Sequence, residues 1–336
     1  MGFLSEIPDI HFKSPLFCGI LGNTLLSTVP GVSGAGATPE KTLLTPILDA
    51  ELITWGAIKS YPIKPDTPTG CPTPASITRA MMKLCDMQPL FINAGLSQTP
   101  TIPCFDVYGT AGEDPRFRDA VPKAHELVLK GEIIGRFLSK NSDLLILGEC
   151  VPGGTTTALC VMRAMGYEAS VSSSFVNNPL LIKKEICRKA LERIRSDGIT
   201  SPIDIIRYTG DPMMPVAVGI AKTYSGELML AGGTQMLAVN AIIKSIGGHL
   251  PCVVTTSYVR DDPSANVQHI AGQMGVKIIY VDPGFEDLGH PGLARYCIGE
   301  VKEGMGAGGA MCLAHLLGHS PVEIRKAILT TVNAYR

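Results

Sequence analysis

The sequence predicts an α/β protein, a doubly wound, mostly parallel Rossmann-like sheet with a smaller helical subdomain formed by the terminal segments. Three observations carry this. Apolar runs of strand length recur along the chain, several rich in Val, Ile and Leu without polar alternation, as strands buried on both faces require. Longer stretches of helical character separate them, giving the strand-helix-strand rhythm of a parallel sheet. Several runs end in glycine-rich turns that lead straight into a helix, the place where open α/β sheets bind ligands.

The expected strands are 16–22 (LFCGILG), 89–95 (PLFINAG), 103–109 (PCFDVYG), 143–149 (DLLILGE), 227–233 (ELMLAGG), 251–258 (PCVVTTSY) and 276–282 (VKIIYVD). Helices are expected over 120–138, 155–165, 180–194, 215–224, 234–246 and 265–274. A last helix over 321–335 has a clear start, with Ser320 as N-cap, proline at the first helical position and Glu323 at the third. The proline-containing stretches 61–74 and 97–103 read as loops. A chain of 336 residues exceeds the size at which one core is common. We therefore expect a single α/β unit over 1–336, with a large core at about 88–290 and the segments 1–87 and 291–336 supplying the smaller part.

Composition excludes several classes of function. Lys and Arg total 29 against 30 acidic residues, with no basic tail or cluster to release counterions, so nucleic acid is not an expected partner. The most apolar region, 215–247, is interrupted by Lys222, Glu227, Gln235 and Lys244, so no membrane span is expected. The N-terminus carries early acidic residues and no continuous apolar signal segment, which points to a cytoplasmic protein. The 10 cysteines are scattered singly without a C-x-x-C pair and read as reduced, mostly small core residues. A content of 45% hydrophobic and 18% charged residues suggests surface buried against another subunit, hence a homo-oligomer.

The most informative segment is Gly148-Glu149-Cys150-Val151-Pro152-Gly153-Gly154-Thr155-Thr156, which reads strand, glycine turn, helix. Gly153 and Gly154 let a ligand approach the backbone, and the free N–H groups of the helix start, with the Thr155 and Thr156 hydroxyls, suit a phosphate. Glu149 stands at the strand's carboxyl end, on the ligand crevice. The plain alternative is a tight turn with a threonine cap and a surface glutamate. Gly232 and Gly233 end another strand in the same way and form a second wall of the crevice, or simply pack strand on helix.

In the segment Lys302-Glu303-Gly304-Met305-Gly306-Ala307-Gly308-Gly309 a carboxylate precedes a glycine-rich helix start. Its glycines formally match G-x-G-x-x-G. That fingerprint needs a preceding strand and an acidic residue about 20 residues later in a βαβ unit; the residues after Gly309 read as helical, which disfavours a nicotinamide-dependent oxidoreductase. The polar turn Asn177-Asn178-Pro179 enters a helix bearing Lys183 and Lys184, either of which is a phosphate contact or a solvated surface lysine. His315 and His319 stand four apart, a zinc-compatible spacing on one helix face, but no third ligand is evident, so no metal is expected.

Taken together, these segments resemble the nicotinate-nucleotide:dimethylbenzimidazole phosphoribosyltransferase family, in order from about 16 to 316. The family's strand-Glu-x-x-x-Gly-x-Thr-Thr signature resembles 149–156, with Gly154 where the family more often has asparagine. Its helix after a glycine turn resembles 177–184, its Gly-Gly strand end resembles Gly232-Gly233, and its Glu-Gly-x-Gly-Ala motif resembles 303–307. Gly31-Val32-Ser33 resembles the acceptor-side loop, without the usual Asp-His-Gly upstream; Ser173-Ser174-Phe175 replaces a glycine turn, and Asn177 and Asn178 replace acids. These departures suggest a divergent branch.

The resemblance implies transfer of phosphoribose from nicotinate mononucleotide to dimethylbenzimidazole or a related lower-ligand base in cobamide assembly, by a homodimer and without a metal or redox cofactor. It implies Glu303 as general base, Glu149 assisting, and Gly153, Gly154, Thr155, Thr156, Asn177, Asn178, Lys184, Gly232, Gly233, Gly304, Gly306 and Ser33 as substrate contacts. Transfer to adenine or a phenolic acceptor, and a non-catalytic nicotinate-nucleotide-binding protein, remain open alternatives on these residues.

Overall fold

The computed structural model of the protein describes residues 2–36 and 38–334. In chain order, β1 (Pro15–Gly22) leads through a short 3-10 turn to α1 (Pro39–Trp55) and α2 (Pro74–Leu84), followed by β2 (Leu90–Gly95), β3 (Phe105–Asp106) and α3 (Ala124–Leu138). The middle comprises β4 (Leu144–Cys150), α4 (Gly154–Ala164), α5 (Leu180–Ser196), α6 (Pro202–Thr209) and α7 (Met213–Thr223). Then come β5 (Glu227–Ala231), α8 (Thr234–Ser245), β6 (Cys252–Thr256), α9 (Ser257–Arg260), α10 (Val267–Met274), β7 (Ile278–Val281), α11 (Ala294–Cys297), α12 (Ala307–Leu316) and α13 (Pro321–Asn333).

The strands form one sheet in the order β3-β2-β1-β4-β5-β6-β7, with every neighbour pair parallel. Each expected strand is present. The edge strand over 103–109 shortens to Phe105–Asp106, and Tyr108 just beyond it turns out of the strand at a φ of 55°. Strand order reverses between β1 and β4, so the connections diverge at their carboxyl ends and leave a crevice there.

Apart from the short, exposed edge strand β3, the strands send residues into separate cores on the two faces, which is why the runs show no polar alternation. Leu145 and Leu147 of β4 face a core shared with α3, α4, α5, α6, α7, α8 and α10, while Leu144 and Ile146 face one shared with α1, α2, α12 and α13. The expected boundary near 88 runs differently from this layering. The helices of 1–87 and 291–336 do gather on one face, yet β1 belongs to the centre of the sheet, paired to β2 and β4. The result is two cores on opposite faces of one sheet.

α1, α2 and α6 were not among the expected helices. α1 is buried around most of its circumference, so it shows no amphipathic stripe, although its end signals are present: Thr38 accepts from the Lys41 N–H, and Gly56 closes the helix at a φ of 76°. α13 has the full capping box at Ser320 and Glu323; the expected end at Tyr335 lies outside the described residues. Among the described residues no helix is long and apolar enough to cross a membrane.

Candidate functional site

A cavity of about 740 Å³ opens over the carboxyl end of β4, walled by the α4 turn, the 172–174 loop, α1, the 63–74 loop and the 301–304 segment. The floor begins with Gly153, whose φ of 82° suits glycine and which caps α4, and Gly154, which opens that helix. Thr155 follows, and its Oγ1 accepts from Lys183 Nζ at 3.0 Å. Lys183 also donates to the Ser172 carbonyl at 2.9 Å, while Lys302 Nζ donates to the Ser173 carbonyl at 2.6 Å and pairs with Asp262 at 3.4 Å. The serine loop is therefore strapped down by two lysines from either side. Burial pulls the Lys183 ammonium down to about 7, against the attraction of Asp262 and with the repulsion of Lys302.

Two carboxylates face the cavity from opposite parts of the chain. Glu149 ends β4; its Oε2 accepts from Gln235 Nε2 at 2.7 Å and from the Val151 N–H at 3.1 Å. Burial, then repulsion from Asp211 and Glu303, pushes its carboxyl up to about 8. Glu303 accepts from the N–H groups of Gly304 (3.1 Å), Thr256 (3.1 Å) and Gly308 (3.2 Å), the last in the first turn of α12. Burial still holds it up at about 7, against those hydrogen bonds. Backbone contacts bring the two together: the Met305 N–H donates to the Glu149 carbonyl at 3.1 Å, and the Val301 N–H to the Ser174 carbonyl at 3.1 Å. Tight packing of Gly306 on Gly148 completes the join.

Of the expected contacts, Ser33, Glu149, Gly153, Gly154, Thr155, Gly233, Glu303 and Gly304 line this cavity. The others do not. Thr156 is buried behind the turn, its hydroxyl without a hydrogen-bond partner among the described residues. Gly232 and Gly306 lie behind the wall, in strand and helix packing. Asn177 is exposed, and Asn178 pins the loop through the Val171 carbonyl and Ser264 Oγ, both at 2.8 Å. Lys184 points to solvent at the outer surface of α5, and the lysine that reaches the site is Lys183, which is 1% exposed. The signal was present: 183, 186, 187, 190 and 194 share the buried stripe of α5, with 184 one step out of phase. His315 and His319 are not on one helix face, because α12 ends at Leu316 and His315 Nδ1 meets the His319 carbonyl at 3.1 Å. Among the described residues no group of three His, Cys, Asp or Glu could hold a metal ion.

Gly154 has a specific partner. A Cβ there would overlap the Gln235 side-chain amide, the same group that donates to Glu149. Glycine at 154, where the resembling family more often has asparagine, makes room for the glutamine that orients the acid. Asp49 of α1, missed in the sequence, also lines the cavity, and burial pushes its carboxyl up to about 7 against a hydrogen bond from Thr73. Acids inside helices are usually solvated, so only knowledge of what covers α1 would have singled it out.

No family model matches the chain. Among solved structures, the nicotinate-nucleotide-dimethylbenzimidazole phosphoribosyltransferase of Thermus thermophilus shares the fold with a TM-score of 0.62 and 17% identity, over 96% of this chain and 83% of that one. A second structure, of CobT from the same organism, gives a TM-score of 0.62 at 16% identity, over 96% and 84%. A UPF0284 protein of Methanosarcina acetivorans is 41% identical over 329 residues, covering 94% of this chain and 93% of the relative. The UPF0284 protein of Thermococcus gammatolerans is 39% identical over 319 residues, covering 93% and 96%. With such identity across nearly its whole length, the chain belongs to the UPF0284 family, built on the fold of the nicotinate-nucleotide:dimethylbenzimidazole phosphoribosyltransferases.

Proposed function

We propose that this protein is a phosphoribosyltransferase that moves ribose 5-phosphate from nicotinate mononucleotide to a nitrogen base of the benzimidazole type, releasing nicotinate, in the assembly of a cobamide lower ligand. One observation carries the reading: two carboxylates, the buried Glu149 and the half-buried Glu303, face one cavity whose floor is the α4 start backed by Lys183. The Gly154 and Thr156 N–H groups already donate to the Val151 and Gly153 carbonyls at 2.9 Å, so the preference for a phosphate rests on the positive end of the α4 dipole and on the buried cations behind it.

In this reading the donor phosphate sits on the 153–155 turn. The bond from C1′ to the nicotinate ring nitrogen breaks with its electron pair passing to that nitrogen, which is cationic in the donor and needs no protonation. A ring nitrogen of the acceptor bonds to C1′ from the opposite face, so the β-nucleotide becomes an α-linked product. Positive charge grows on the acceptor ring, and Glu303 accepts the proton from its second nitrogen. Glu149 holds the ribose side, oriented by Gln235. Most of the task is positioning.

The test is purified protein with nicotinate mononucleotide and a panel of benzimidazoles, adenine and phenols, read by mass spectrometry for new ribotides and free nicotinate. A ribotide and nicotinate in equal amounts are expected; donor binding without product across the panel would replace the proposal with a nucleotide-binding role. Glu303→Gln is expected to lower kcat by about 10²- to 10⁴-fold with donor affinity kept. Full turnover by that variant would remove Glu303 as the base.

A further inference from the structure

Beyond Glu149 and Glu303, the cavity is lined by the buried acid Asp49 of α1, which is 8% exposed. Its Oδ1 accepts from Thr73 Oγ1 at 3.0 Å, and among the described residues its Oδ2 has only the Cys150 thiol at 3.7 Å, a weak donor at that distance. A carboxyl offers about four lone-pair sites, so most of its capacity is left for whatever shares the cavity. The residues that Asp49 touches adjoin the segments of both other acids. Cys150 follows Glu149, and Pro74, which follows Thr73, packs against Gly304 beside Glu303. The neighbouring elements line the cavity with apolar Leu48, Ile58, Ile63 and Pro74 and with polar Lys41, Thr45 and Thr73. A flat ring can lie against the apolar members of this wall and turn a polar edge to Asp49, the buried acid among them.

Resting on the transferase reading, we propose that Asp49 determines acceptor specificity: the site takes a fused bicyclic nitrogen base with an amino or hydroxyl group on the ring remote from the attacking nitrogen, in preference to one with methyl groups there. Methyl groups against Asp49 would take a carboxyl out of water without giving it a partner, and discrimination by a site built to hydrogen-bond is strong for that reason. An amino or hydroxyl group instead donates to the free lone pairs of Oδ2. Burial holds the Asp49 carboxyl at about 7, so near neutral pH it can also donate to a ring nitrogen.

The experiment offers the full chain nicotinate mononucleotide with equal amounts of 5-hydroxybenzimidazole and 5,6-dimethylbenzimidazole and measures the ratio of the two ribotides. The wild-type protein is expected to favour the hydroxy acceptor by at least about tenfold, the yield of one well-placed polar contact. Asp49→Leu is expected to reverse the preference, and Asp49→Asn, which keeps volume and hydrogen-bonding, to retain it. A wild-type preference for the dimethyl acceptor overturns the proposal, as does an unchanged ratio in Asp49→Leu. If the leucine variant does not fold, Asp49→Ser, which shortens the side chain out of reach, is read in the same way. Calorimetric binding of both acceptors in the presence of nicotinate reads the same ratio without turnover. A chain that makes no ribotide at all therefore sinks the transferase reading while Asp49 is still scored.

Discussion

Lys183 and Lys184 show how much a single step along a helix decides. The two differ by about 100° around α5, and only Lys183 falls on the side that packs against α4. Its ammonium binds Thr155 and the Ser172 carbonyl, so it shapes the turn and the loop at once. Lys183→Met is expected to weaken nicotinate mononucleotide binding by at least about tenfold, the scale of one lost charge-assisted hydrogen bond, whereas Lys184→Met leaves it unchanged. Titration calorimetry with the pair decides; equal losses would mean that general surface charge attracts the donor. Gln235 is the complementary case, a polar residue read in the sequence as an interruption of an apolar region near a helix start. Its role required knowing that α8 begins beside α4, a proximity set by the pairing of β4 with β5.

At the scale of elements, α12 is unusual in lying almost against the sheet. A Cβ at Gly309 would overlap Ala231, and one at Gly308 would stand 2.7 Å from the Thr255 carbonyl carbon and 2.9 Å from Glu303 Oε2. Close approach is what lets the first turn of α12 donate to the Glu303 carboxylate. Gly308→Ala is therefore expected to displace the acid and reduce kcat by about 10²-fold, the cost of roughly 1 Å of misplacement, with donor binding intact. Gly309→Ala is expected to cost about 1–3 kcal/mol of stability through overpacking, measured by denaturant unfolding. A kcat unaffected in Gly308→Ala would show that Glu303 has room to shift. The glycine run was visible in the sequence, but its reason was not, because the surface it meets is assembled from three strands far apart in the chain. Strands were legible because two-sided burial leaves an unbroken apolar run. α1 was illegible for the opposite cause: burial on most sides erases the stripe that marks a helix.

For the whole molecule, the buried acids dominate the response to pH. Asp49, Glu149, Glu303 and Asp211 all stand above the ordinary carboxyl range, at about 7, 8, 7 and 6, chiefly through burial. The folded state thus holds protons that the unfolded chain releases, so stability is greatest below the unfolded values and is lost as pH rises through the folded ones. Lys183, lowered to about 7, stays protonated in both states below that pH and contributes no slope there. Between pH 5 and 6 the ligand-free protein should therefore lose stability as pH rises, by up to about 1.4 kcal/mol per unit for each acid still protonated. Scanning calorimetry is expected to show Tm falling across this range, and Glu149→Gln to flatten the fall. A Tm that rises instead would mean that these carboxyls are ionised in the folded protein. Activity should follow the other sign, increasing as Glu303 loses its proton near pH 7.

The central place of β1 also sets a timetable for synthesis. β1 leaves the ribosome early, yet its β4 partner, Leu144–Cys150, emerges only after α1, α2, β2, β3 and α3. Until then one edge of β1 stays open, and such edges template unwanted pairing. Glu303 and α12 come later still, after every strand. A nascent chain can thus complete the α4 turn well before it acquires Glu303, so under the proposed function the intermediate would bind a phosphate before it could transfer the ribose.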